Sequence, residues 1–150
     1  MLFRSAISNV RERWEGVRGA VKRMRLETLE IGIDDPAGVD RLERRLRGHG
    51  RPQAIYALDH VTALAAYRLV ADLGLAIPRD IAFASFDEME WMQLVSPQVT
   101  AVRQPVEEMA EQAWALLHKQ LRGDSAAPVT RRLRCAVKKG DRKASCRERV

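Results

Sequence analysis

Three ionisable side chains stand where this chain can offer them to a ligand. Asp59 follows the apolar run Ala54-Ile55-Tyr56-Ala57-Leu58, Asp87 follows Ile81-Ala82-Phe83-Ala84-Ser85-Phe86, and Arg13 lies near the start of the first helical stretch. A carboxylate accepts two hydroxyl donors, and a guanidinium offers a planar fork to a ring oxygen, a vicinal diol or an acid group. Together they suit a polyol or sugar. Each also has a plainer role: Asp59 as a helix N-cap, Asp87 as a turn former, Arg13 as a solvated cation. Trp14, on an apolar stripe, suits the core as well as a stacking platform. His49, His60 and His118 are scattered, and neither Cys135 nor Cys146 has a partner at metal-ligand spacing. Glycine-rich phosphate loops of the G-x-x-x-x-G-K-[ST] and G-x-G-x-x-G types are absent, as are H-E-x-x-H and G-x-S-x-G. Neither enzymatic activity nor a cofactor or metal is expected.

The elements that position these residues follow from periodicity. Val10, Trp14, Val17, Val21 and Met24 recur at steps of four and three, predicting a helix from Asn9 to Met24, with Asn9 and Glu12 as a reciprocal cap. Thr28 to Ile33 alternates as a short strand. Asp35-Pro36 opens a second helix with Val39, Leu42 and Leu46 inward, ending at Gly48-His49-Gly50. The runs 54–58 and 81–86 read as buried parallel strands covered on both faces, joined by a helix that Asp59 caps and that stops at Gly74. After a break at Val95-Ser96-Pro97-Gln98, Val99 to Arg103 forms an extended crossing. Pro105 then opens a helix with Val106, Met109, Ala113, Leu116, Leu117 and Leu121 on its apolar face. A last strand is expected over about Thr130 to Val137. Alternating strands and helices predict an α/β fold, a parallel sheet flanked by helices, with ligands outside the carboxyl ends of the strands.

Composition sets outer limits. The chain has 150 residues, 46% hydrophobic and 31% charged, which fits one globular domain rather than a disordered chain. No apolar run approaches the roughly 20 residues of a membrane span, and the first residues carry no secretory signal, so the expected location is cytoplasmic, with no membrane partner. The net charge of +6 invites a nucleic-acid reading, but its distribution refutes it. Residues 131–150 hold nine Lys and Arg against Asp141 and Glu148, and the remainder carries 17 basic and 18 acidic side chains. The body is nearly neutral, and the excess charge belongs to a tail.

Five ordered stretches carry a resemblance to a known family: Asn9-Val10-Arg11-Glu12-Arg13-Trp14-Glu15-Gly16; Pro52 to Asp59 with the Ala-rich helix behind it; Leu73-Gly74-Leu75-Ala76-Ile77-Pro78-Arg79-Asp80-Ile81; Phe86-Asp87; and Ser96 to Pro105. Over about residues 5 to 137 the chain resembles the effector-binding module of the LacI/GalR family of bacterial transcription regulators. That family's fold is like the periplasmic sugar-binding proteins, type I. The resemblance implies an incomplete module, truncated at its N-terminus and made mostly of the C-terminal subdomain. It assigns residues 1–95 and 129–138 to that subdomain, 96–128 to a strand and helix of the first subdomain, and 139–150 to a disordered or artefactual basic tail. It implies that Arg13, Asp87, Leu58 and Asp59 contact a small sugar-like or sugar-acid-like effector in a cleft between subdomains. Leu58 stands where many relatives have Asn, and Ser85 where glycine is usual. A homodimer is implied for the intact protein, as is operator DNA bound only through a helix-turn-helix domain preceding residue 1. A transport-type sugar-binding protein is the alternative, and a phosphoacceptor using Asp59 is a third, less supported one because no acidic partners for Mg²⁺ cluster beside it.

Overall fold

The computed structural model describes residues 2–3, 8–21, 24–32, 34–123, 127 and 129–140. The elements run β1 (Leu2–Phe3), α1 (Ser8–Ala20), β2 (Leu29–Glu30), α2 (Pro36–Arg47), β3 (Ala54–Ala57) and α3 (His60–Asp72). They continue as β4 (Ala82–Phe86), α4 (Trp91–Leu94), β5 (Thr100–Arg103), α5 (Val106–Leu121) and β6 (Ala136–Lys138). One six-stranded sheet has the order β2-β1-β3-β4-β5-β6. The first five strands are parallel, with Ile55 opposite Phe83 and Ser85 opposite Ala101. β6 is antiparallel to β5, Val137 facing Val102. The sheet is therefore mixed, and its last strand begins later than the expected Thr130. The reversal arises because the chain re-enters the sheet at the end by which it left: Ala136, the first residue of β6, lies opposite Arg103, the last of β5.

Local chemistry explains the well-formed elements. The Asp35 side chain accepts the Gly38 N–H at 2.9 Å, and Pro36, which has no N–H to satisfy, fills the first helical position of α2. Asp59 Oδ1 accepts the N–H groups of Val61 at 2.9 Å and Thr62 at 3.0 Å, capping α3. At the other end Gly74, with φ of 65°, takes the left-handed turn expected of it. Two expectations shift. α1 begins at Ser8, so Asn9 lies within its first turn rather than at the cap, and it ends at Ala20 rather than Met24. Met24 is exposed. Ile33 of the expected strand lies outside the described residues, as do Cys146 and residues 141–150.

The core sits on one face of the sheet. Ile55, Ala57, Phe83 and Ala101 point into it and meet Leu42 and Leu46 of α2, Ala63, Ala66, Leu69 and Val70 of α3, and Met92 of α4. Tyr67 meets Phe83 edge-on at 5.7 Å and Trp91 at 5.2 Å. The opposite face is only partly covered, which corrects the reading of β3 and β4 as strands buried on both faces: Ala54 and Ala82 are exposed, and Tyr56, Ala84 and Phe86 half-buried. α4 escaped the periodicity because four residues make barely one turn. α5 buries none of its residues; Val106, Trp114 and Leu121 are each more than 60% exposed. The sheet runs unbroken through the boundary expected at residue 96, since β5 hydrogen-bonds to β4.

Candidate functional site

With strand order 2-1-3-4-5, the sheet changes winding direction between β1 and β3, and the crevice outside the carboxyl ends there is where ligands bind in open α/β sheets. Three chain segments converge on it. α1 carries Arg13 in its second turn, Leu58 follows β3, and Asp87 follows β4. Arg13 Nη1 donates to Asp87 Oδ2 at 2.9 Å and to the Leu58 carbonyl oxygen at 2.8 Å, and Nη2 lies 3.5 Å from Asp87 Oδ1. The guanidinium also lies 3.9 Å above the Phe86 ring, a cation–π contact that fixes its plane. Arg13 and Asp87 side chains keep 13% and 18% of their exposure, so the pair is largely desolvated yet open to a ligand.

Backbone geometry aims the carboxylate. Asp87 adopts φ of 69°, the left-handed region that Asp tolerates better than most residues because its short side chain bonds locally. Its Oδ1 also accepts from Gln104 Nε2, at the end of β5. Behind the pair, burial raises the Tyr56 phenol above its usual pKa; Arg13 opposes the shift and Asp87 adds to it. A cavity of about 900 Å³ opens beside Asp87, lined among others by His60, Glu88, Gln93, Gln104 and Glu108. That volume accommodates a small polyol.

The four sequence-derived site residues part company here. Arg13 and Asp87 meet as expected. Leu58 is fully buried, and its carbonyl oxygen is the atom that reaches the site, accepting from Arg13. Asp59 is 3% exposed and engaged as the α3 cap, so the plainer of its two roles is the one the structure supports. Neither side chain is exposed to a ligand in this structure. Trp14 is half-buried, donating to Thr28 Oγ1 at 3.2 Å, under the Arg18 guanidinium. Gln104 and Phe86 complete the site without a signal in the sequence, because a side chain's neighbours across strands are not written in its own segment. Among the described residues no three His, Cys, Asp or Glu are grouped to hold a metal, and no helix is long and apolar enough to cross a membrane.

Comparisons with known proteins agree with this fold. The family described as "Periplasmic binding protein-like domain" matches residues 4–141. A Rhizobium rhizogenes protein named "Probable opine utilization operon repressor" is 31% identical over 136 residues, covering 87% of this chain and 69% of its own. The ribose operon repressor of Escherichia coli K12 is 31% identical over 115 residues, 73% of this chain and 35% of its own. Among solved structures, a LacI family transcriptional regulator from Enterococcus faecium with bound ribose superposes with a TM-score of 0.79 at 21% identity, covering 93% of this chain and 54% of that one. At that identity the likeness shows the fold alone. The chain thus spans about half of that structure and about a third of the ribose operon repressor.

Proposed function

Because this chain belongs to the periplasmic binding protein-like domain family and is akin to LacI/GalR regulators, we propose that it is the effector-sensing part of such a regulator. In this reading a small neutral or acidic polyhydroxyl compound enters the crevice beside Asp87 and Arg13. The carboxylate accepts hydroxyl protons, and the guanidinium fork donates to a ring oxygen or acid group. No bond is made or broken. The ligand acts by binding one arrangement of the two lobes more tightly than another, and closure alters the dimer that positions DNA-binding helices elsewhere in the protein. Such a regulator works in the cytoplasm, where its operator is.

The single observation that carries the reading is the Arg13–Asp87 pair, 74 residues apart in sequence and joined at 2.9 Å where the sheet reverses its winding. Residues up to Arg103 and from Ala136 form one lobe in this scheme, and the chain leaves towards the other at Gln104. That moves the boundary from residue 96 to the end of β5, as the β4–β5 pairing favours. The unburied α5 is then the element that meets the other lobe.

The test uses protein made from the whole reading frame that encodes this chain. Thermal stabilisation is measured across a panel of pentoses, hexoses and sugar acids, D-ribose included. A ligand that stabilises the parent is expected to lose at least about tenfold in affinity with Asp87→Ala or Arg13→Ala, as removal of a charged hydrogen-bond partner predicts. Undiminished binding in both variants would overturn the site assignment.

A further inference from the structure

Glu88 is the second consecutive carboxylate at the end of β4; it borders the cavity, and the ligand contacts proposed above do not use it. Its side chain is only 7% exposed, and both oxygens are engaged. Oε1 accepts from Lys138 Nζ of β6 and from Gln93 Nε2 of α4, each at 2.9 Å, and Oε2 accepts from Arg103 Nε at the end of β5. Burial alone would raise its pKa; the hydrogen bonds from Lys138 and Arg103 outweigh it, and the carboxyl titrates below its usual value. One ionised group therefore ties three separate segments to the residue that follows Asp87. The tie is doubled. Asp87 holds Gln104 and Glu88 holds Arg103, so adjacent residues leaving β4 grip adjacent residues leaving β5. Asp87 meanwhile occupies a left-handed conformation, which persists only where the surroundings over-determine it.

Resting on the proposed role of Asp87 and Arg13 in ligand contact, we infer that Glu88 is a positioning residue that keeps the Asp87 carboxylate turned onto Arg13 by anchoring the adjoining peptide to β5, β6 and α4. Glu88 itself need not touch a ligand. A bridge that merely stabilised the fold would behave differently. Removing it would loosen the molecule as a whole, the Arg13–Asp87 pair no more than the core around it.

The experiment follows hydrogen exchange by NMR at the Arg13 guanidinium and at the β3 and α3 amides, in the parent, Glu88→Gln and Asp87→Asn. Asp87→Asn calibrates the loss of the pair. Glu88→Gln is expected to speed Arg13 guanidinium exchange about tenfold, with β3 and α3 amides changed by less than about twofold. Unchanged Arg13 protection, or equal acceleration throughout the molecule, would overturn the inference. Should Glu88→Gln fail to fold, Arg103→Gln cuts one of the same ties at a mostly exposed side chain and is expected to speed Arg13 exchange about threefold; no change there would also overturn it. The two proposals fail separately. Loosening of Arg13 in Glu88→Gln, with ligand binding indifferent to Asp87→Ala, would leave the positioning role standing and remove the ligand reading.

Discussion

The backbone of Asp87 allows its two contributions to be separated by three substitutions. Asp87→Asn keeps a short polar side chain that tolerates a φ of 69° and retains an acceptor for Gln104, but loses the charge facing Arg13. Asp87→Gly keeps the backbone conformation unstrained and loses the side chain. Asp87→Ala loses the side chain and places a Cβ in the left-handed region, at about 1–2 kcal/mol. Alanine's smaller unfolded-state entropy returns roughly 0.4–1 kcal/mol, so the glycine variant should be the more stable by about 0.5–1 kcal/mol, the reverse of the usual order. Both share the loss of a charged hydrogen bond in a pair that is 13% and 18% exposed. That loss costs about 1.5–3 kcal/mol, towards the lower end because Arg13 keeps the Leu58 carbonyl and the Phe86 ring. The expected losses are therefore about 1 kcal/mol for Asn, about 2 for Gly and up to about 3 for Ala. Urea unfolding with a common slope of about 2 kcal/mol per molar would place Gly and Ala midpoints about 0.3–0.5 M apart. An alanine variant at least as stable as the glycine variant would refute the backbone argument, and an asparagine variant equal to the parent would refute the contribution of the charge.

Other consequences can be checked alongside. Gly38→Ala would set a methyl against the Asp35 carboxylate, 2.9 Å from its Cγ and 3.2 Å from Ile31 Cα. It should displace the α2 cap and lower stability by about 1–2 kcal/mol, and by little more when combined with Asp35→Ala; additive losses in urea melts would contradict this. Gly140→Ala would press a methyl into the Gln98 carbonyl beside the Gly140–Thr100 hydrogen bond, so amides of β6 should exchange faster while α3 is unaffected. Hydrogen bonds from Arg79, then from the Ala76 N–H, hold Asp80 at about 2, below its usual 3.8. Its stabilisation is complete above the unfolded value and lost as pH falls through about 2, so Asp80→Asn should flatten that part of the acid-unfolding curve; an unchanged acid limb would refute the assignment. The bare apolar face of α5 should drive concentration-dependent self-association of the isolated 150-residue chain, relieved by Leu117→Glu with Leu121→Lys. Sedimentation velocity showing a concentration-independent monomer for the parent would contradict it.

What the sequence alone decided is what neighbours along the chain decide. Asp35-Pro36 and Asp59 announce the starts of α2 and α3, Gly74 the end of α3, and the short apolar runs announce β3 and β4, because caps, turns and periodicity are settled within a few residues. Asp87 was visible as a polar residue at a strand end, and Arg13 as a cation on a helix. Only the tertiary structure decided that they meet. Their approach depends on β1 lying between β2 and β3, so that the end of β4 comes beneath α1, a juxtaposition set by long-range packing. The same holds for Leu58, whose single apolar side chain could not reveal that its carbonyl faces the site. It holds for Glu88 and Gln104, which look like ordinary loop residues until β5 and β6 bring their partners alongside. The antiparallel course of β6 was hidden for a related reason: strand direction is fixed by where the chain has travelled before it returns, and the strand's own residues carry no record of it.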